Sequence, residues 1–141
     1  MAAFNKFNQF VEDLAKKVHN LDTDTLKIAF SNVAPVATNA VFADITEIAA
    51  ANGYSAGGST AAFVSGSQTS GTYKLILSNV VFTASGGSIA TFRYVVLYNS
   101  TPGSPLKPLI GWYDYGSAVS VTNGNSFTVQ FDAVNGVLTI A

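Results

Sequence analysis

Apolar and polar residues alternate through much of the second half of this chain with the period of two that marks β-strands. Thr72 to Ala141 carries seven such runs: TYKLILS, VVFTA, FRYVVLYN, LIGWYDY, SAVSV, SFTVQFD and GVLTI. Turn residues separate many of them, at Ser85-Gly86-Gly87, Thr101-Pro102-Gly103, Asn123-Gly124-Asn125 and Asn135-Gly136. Short strands at this spacing predict an antiparallel β-sandwich or barrel. A further strand is expected over Thr25–Ser31, with Leu26, Ile28 and Phe30 on one face. A short strand is expected over Ala61–Ser65, and a turn over Gln68–Gly71. In FRYVVLYN the alternation places Phe92, Tyr94, Val96 and Tyr98 on one face and Arg93, Val95 and Leu97 on the other. Both faces are apolar, as in a central strand.

The first 20 residues have a different period. Phe4, Phe7, Val11, Leu14 and Val18 fall three and four apart, on one stripe of a helix widened by Phe10. An isolated helix of this length is marginal in water, so it must dock. Two dockings are open: on the chain's own β-domain, or on a partner as an arm over residues 1–20. As an arm, Phe4, Phe7, Val11 and Leu14 are the interface candidates, and removing residues 1–19 leaves the β-domain folded. A second, internal helix is expected over Asp44–Ala51, with Asp44 as its cap and Glu47 at capping-box spacing. SNVAPVATNAVF reads as a loop. No internal repeat and no linker long enough to divide the chain is visible, so residues 1–141 are read as a single domain.

Charge changes this picture most. Lys and Arg total 7, Asp and Glu 8, and charged residues make up 11%, against roughly 25% in ordinary soluble domains. A net charge of -1 gives little long-range field, so electrostatic capture of nucleic acid or an anionic membrane is not expected. Sparse charge suits either a surface rich in Ser, Thr, Asn and Gly or one hidden in an assembly. No run reaches the roughly 18 apolar residues of a membrane span, and the first residues lack the apolar core of a signal peptide. Synthesis in a cytoplasm is therefore expected.

Candidate chemistry is thin, and no enzyme, cofactor or metal is expected. There are no cysteines, which removes thiolate metal sites and cysteine nucleophiles. His19, the one histidine, sits among charges at the end of the helical stripe. Ser85-Gly86-Gly87-Ser88 lacks the lysine and following helix of a phosphate loop. Asp22-Thr23-Asp24 lacks the remaining ligands of a calcium loop. In GWYDY, Trp112 and Asp114 face one way and Tyr113 and Tyr115 the other. Core packing, a subunit interface and sugar stacking are its three readings. Arg93 and Asp114 are expected to pair across neighbouring strands.

AAFNKFNQFVEDLAKKVHNLDTDTLKIAFSNVAPVATN, ADITEIAAANGYSAGG, TYKLILSNVVFTASGGSIATFRYVVLYN, LIGWYDYGS and NGVLTIA together resemble the cement, or capsid decoration, proteins of short-tailed phages. The resemblance runs from end to end. It implies a jelly-roll-like β-sandwich on the outer capsid surface of the virion, bridging copies of the major capsid protein. It also implies self-association, a dimer rather than a trimer. It carries no catalytic residue. Another virion part, such as a tail adaptor or fibre base, and a carbohydrate-binding sandwich are the alternatives.

Overall fold

A computed structural model describes residues 2–141. The fold is mainly antiparallel β. Strands β1 (Phe4–Lys6), β2 (Leu26–Ser31), β3 (Ser59–Thr60), β7 (Ile89–Asn99) and β8 (Leu109–Val121) form a five-stranded sheet in the order β1-β8-β7-β2-β3. Strands β4 (Phe63–Thr69), β5 (Thr72–Leu77) and β10 (Leu138–Ile140) form a second sheet, β10-β5-β4. A third pairs β6 (Val80–Thr83) with β9 (Ser126–Val129). One buried cluster draws on all three sheets, as in a β-sandwich. The accessible surface is 6988 Å², close to the about 6,900 Å² expected for a compact chain of this mass.

Aromatic rings hold that core. The Phe30 and Phe92 rings stack at 3.9 Å and 5°, and Phe82, Tyr54 and Phe127 close around Phe30 at 4.3, 5.4 and 5.9 Å. β3 covers only Lys27 and Ile28 of the β2 edge. Beyond it, Tyr54 takes over: its hydroxyl accepts from the buried Phe30 N–H at 3.0 Å and donates to Glu47 at 2.7 Å. The chain reaches this position through Gly58, at φ +74, where a Cβ would lie 1.7 Å from the Ile28 carbonyl oxygen. Only glycine fits so close an approach.

A second buried cluster, Phe7, Ala29, Val96, Tyr98 and Leu109, occupies the opposite face of the large sheet. Phe42 stacks on Tyr98 at 4.3 Å, and Ile45 and Trp112 complete the cover. The large sheet is thus apolar on both faces, and the aperiodic segment 32–58 supplies much of the outer lid.

Three expectations are corrected. Residues 1–20 are not one helical arm. The helix α1 spans Asn8–Ala15, and Phe4–Lys6 is a strand paired with Gly111–Tyr113 of β8. The reason is at Gly111, where a Cβ would meet the Phe4 ring at 2.3 Å and the Asn5 carbonyl oxygen at 2.7 Å. The missing side chain lets β1 lie against β8, and sheet pairing replaces the first helical turn. The expected Asp44–Ala51 helix does not form: residues 45–51 are not helical, and a single 3-10 turn, Phe42–Asp44, precedes them. Asp44 accepts from the N–H groups of Ala40 and Val41, upstream of it, and Glu47 accepts from Tyr54 and Gly57. Finally, LIGWYDY and SAVSV are one strand, passing through Gly116 at φ +95.

The facing of β7 also differs from strict alternation. Phe92 lies in the inner core with Val95 and Leu97, while Val96 and Tyr98 face outward. The register with β8 is irregular on both sides of Phe92, and the alternation is reset there.

Candidate interaction surfaces

The structure separates the four N-terminal interface candidates. Phe7 is 0% exposed and packs on Trp112 at 4.6 Å. Phe4 is half-buried against Tyr113 at 5.6 Å, and Leu14 is half-buried beside the inner core. Val11 alone is exposed, at 52%. Phe4 and Phe7 therefore hold the domain together instead of presenting a stripe to a partner. Their extended backbone turns them to opposite faces of the large sheet.

The GWYDY run divides as its alternation indicates. Trp112 belongs to the outer layer on Phe7, while Tyr113 and Tyr115 face Phe131 and Phe127 at 6.3 and 5.6 Å. The three rings do not form one platform. Arg93 and Asp114 make the expected pair, with Nε to Oδ1 at 2.8 Å and Nη2 to Oδ2 at 3.0 Å. The guanidinium and the Gly116 N–H hold the Asp114 carboxyl below the usual range. The pair is exposed and sits beside Tyr94, with the guanidinium 5.5 Å from that ring.

Tyr113 and Tyr115 line an open apolar cleft of about 180 Å³ between β8 and β9, walled also by Ala2, Val95, Phe127, Val129 and Phe131. Burial pushes the Tyr113 phenol up from its ordinary value. Several stretches of the chain carry no charge. Among the most exposed are 56–73, which includes β4, and 115–131, which includes the outer half of β8 and all of β9. β4 is an edge strand, exposed along nearly its whole length, with Val64 57% and Phe63 41% exposed. Edge strands of this length ordinarily carry a charge, a proline or a bulge to block pairing with another chain. β4 has no charge or proline, and its register irregularity, between Phe63 and Ser65, leaves Ser65–Thr69 regularly paired with β5.

His19 is a buried core group. It is 5% exposed, 5.2 Å from the Phe10 ring, and its Nδ1 accepts from the Asn99 amide at 3.1 Å, which places the ring proton on Nε2. The same amide donates to Asp24 at 2.6 Å. Burial holds the His19 value below its ordinary 6.5, against the opposing fields of Asp13 and Asp24. A folded-state value below the unfolded one means that the folded chain resists protonation. The stability this contributes is full above about pH 6.5 and is lost as pH falls toward the folded value. The melting temperature should therefore fall between about pH 7 and about pH 5, and His19→Gln should flatten that slope, as read by thermal denaturation at stepped pH. An unchanged slope in the variant would show that His19 does not drive it.

Among the described residues, no group of three or more His, Asp or Glu side chains is placed to hold a metal ion. No helix of the described residues is long and apolar enough to cross a membrane. Comparisons with protein-family models, with curated proteins and with solved structures find no match.

Proposed function

We propose that this chain is a non-enzymatic structural protein of a phage virion, seated on the outer capsid surface and bridging copies of the major capsid protein. The observation that carries the reading is the pair of exposed, charge-free stretches, 56–73 and 115–131, on a fold whose aromatic side chains are largely spent on packing. Contacts made there are short-range and uncharged, between Ser, Thr, Asn, Gln and Ala side chains with Phe63, Val64 and Tyr115 as the large apolar groups. Burial of about 1,600 Å² suffices for a specific contact, and many copies on one lattice reinforce it. The end-to-end resemblance to capsid decoration proteins supports the same reading and includes the jelly-roll course of the strands.

Self-association belongs to the proposal, through β4. An antiparallel pairing of two copies centred on Gly66 sets Ser65 of one opposite Ser67 of the other, no residue of β4 itself being charged. The Asp22 carboxylate, which lies over Gly66, is the charge nearest the axis. Adding Lys at Val64 should shift the chain toward monomer in sedimentation-velocity runs, at little cost to folding, because Val64 is exposed. An unchanged sedimentation coefficient would place self-association elsewhere.

Capsid binding should be nearly insensitive to salt. Co-sedimentation with purified capsids should change less than about 2-fold between about 50 mM and about 500 mM salt, since charge supplies little of the contact. A steep loss over that range would contradict an uncharged contact.

A further inference from the structure

We infer that the cleft between β8 and β9 is a receptor for one large uncharged side chain, carried on an extended segment of a protein partner. The identity of the partner rests on the capsid reading above; the chemistry of the cleft does not.

Volume comes first. At about 180 Å³ the cleft is of the size that accepts one aromatic ring, as an apolar cavity of roughly 150 Å³ accepts benzene. The wall comes next. None of the nine described residues that line it is charged, and Val95, Tyr113, Phe127 and Phe131 contribute three aromatic rings and a branched aliphatic. A charged group entering here would lose its hydration without a partner. A sugar would find aromatic surface but few groups for its hydroxyls, the polar side chains of Thr128 and Gln130 being the exceptions besides the phenols.

The backbone beside the cleft favours a peptide. β1 pairs with β8 only from Gly111 to Tyr113. Beyond that point β8 bends at Gly116, whose N–H is bonded to Asp114, so the regular open edge beside the cleft is that of β9. β9 pairs with β6 on one side alone. An extended segment can therefore hydrogen-bond to a free strand edge while it lowers an alternate side chain into the cleft, the mode of β-strand addition. The whole stretch 115–131 is without charge, so the incoming segment is expected to be uncharged as well.

The test uses p-cresol, the side chain of tyrosine, as the probe, and the intact chain as the receptor. Titration followed by amide chemical shifts should move Tyr113, Tyr115, Phe127 and Phe131 selectively, saturating with a dissociation constant on the order of 1 mM. Ala2→Phe places a ring at the mouth of the cleft from an N-terminal position outside the core, and should weaken the probe at least about 10-fold. Tyr115→Ala removes an exposed wall, at 56% exposure, and should weaken it without unfolding the chain. Shifts scattered over the surface, no saturation, or shifts that persist in Ala2→Phe would overturn the assignment. So would selective shifts with methyl β-glucoside in place of p-cresol, which would make the cleft a sugar site. If p-cresol binds as expected but the chain is absent from virions, the cleft stands and only the capsid partner falls.

Discussion

Replacing Phe30 by alanine is expected to cost about 4 kcal/mol of stability, the scale of emptying a fully buried phenylalanine site. Phe30 is 0% exposed and meets Phe92, Phe82, Tyr54 and Phe127 at once. These rings come from β2, β7, β6, β9 and the segment before β3, so one cavity loosens the join between two sheets. Denaturant unfolding of Phe30→Ala should show a lower midpoint with an unchanged slope. Phe30→Leu should cost less, because part of the volume is kept. Tyr54→Phe separates packing from polarity. It keeps the ring but leaves the buried Phe30 N–H without its acceptor, at about 1–3 kcal/mol. A Phe30→Ala loss below about 1 kcal/mol would mean that the ring cluster is not the centre of the core.

Phe7→Ala is expected to be nearly as damaging, at about 3–5 kcal/mol, whereas Val11→Ser, four residues on, should stay within about 0.5 kcal/mol. Both residues lie on the same stripe when residues 4–18 are drawn as one helix. In the folded chain Phe7 plugs the outer face of the large sheet, over Val96, Leu109 and Trp112, while Val11 meets solvent. Deleting residues 1–19 should then unfold the domain, because it strips β1 from β8 and uncovers that outer cluster. This reverses the outcome expected of a detachable arm. A truncated chain that keeps its full unfolding cooperativity would restore the arm.

The strands were legible because their faces differ in polarity, as in SFTVQFD, where Phe127 and Phe131 point inward. Turn chemistry was legible too: Ser70 and Gly71, both at positive φ, close the β4–β5 hairpin inside the turn expected over Gln68–Gly71. Bulges were not legible. The register irregularity around Phe92 places it on the face of Val95 and Leu97, and no pattern of period two signals it. The N-terminus misled because apolar residues at 4, 7, 10, 11 and 14 satisfy a helix or a strand followed by a short helix equally well. Gly111, far along the chain, decides between them by making room for Phe4. Segment 32–58 was opaque for another reason. Its backbone is held by Asp44, Glu47, Tyr54 and Tyr98 side chains and not by a repeating ladder, so it has no period to read.

The cleft could not have been found from GWYDY alone. It needs Tyr113 and Tyr115 from β8 facing Phe127 and Phe131 from the region of β9, and that meeting is a property of sheet packing. The absence of charge from 115 to 131 was visible in the sequence, but runs about as long at 28–43 and 75–92 share it, so it does not single out the cleft. The same holds of β4. Both stretches expose strand edges that a chain living alone in water would ordinarily protect.

Copy number and position in purified virions test the central claim most directly, by quantitative mass spectrometry together with cryo-electron microscopy of the particle. The account predicts copies on the order of hundreds per particle, arranged on the outer lattice as icosahedral symmetry requires, with the charge-free stretches 56–73 and 115–131 turned toward neighbouring subunits. A dozen or so copies at a single vertex, or none in the particle, would contradict it.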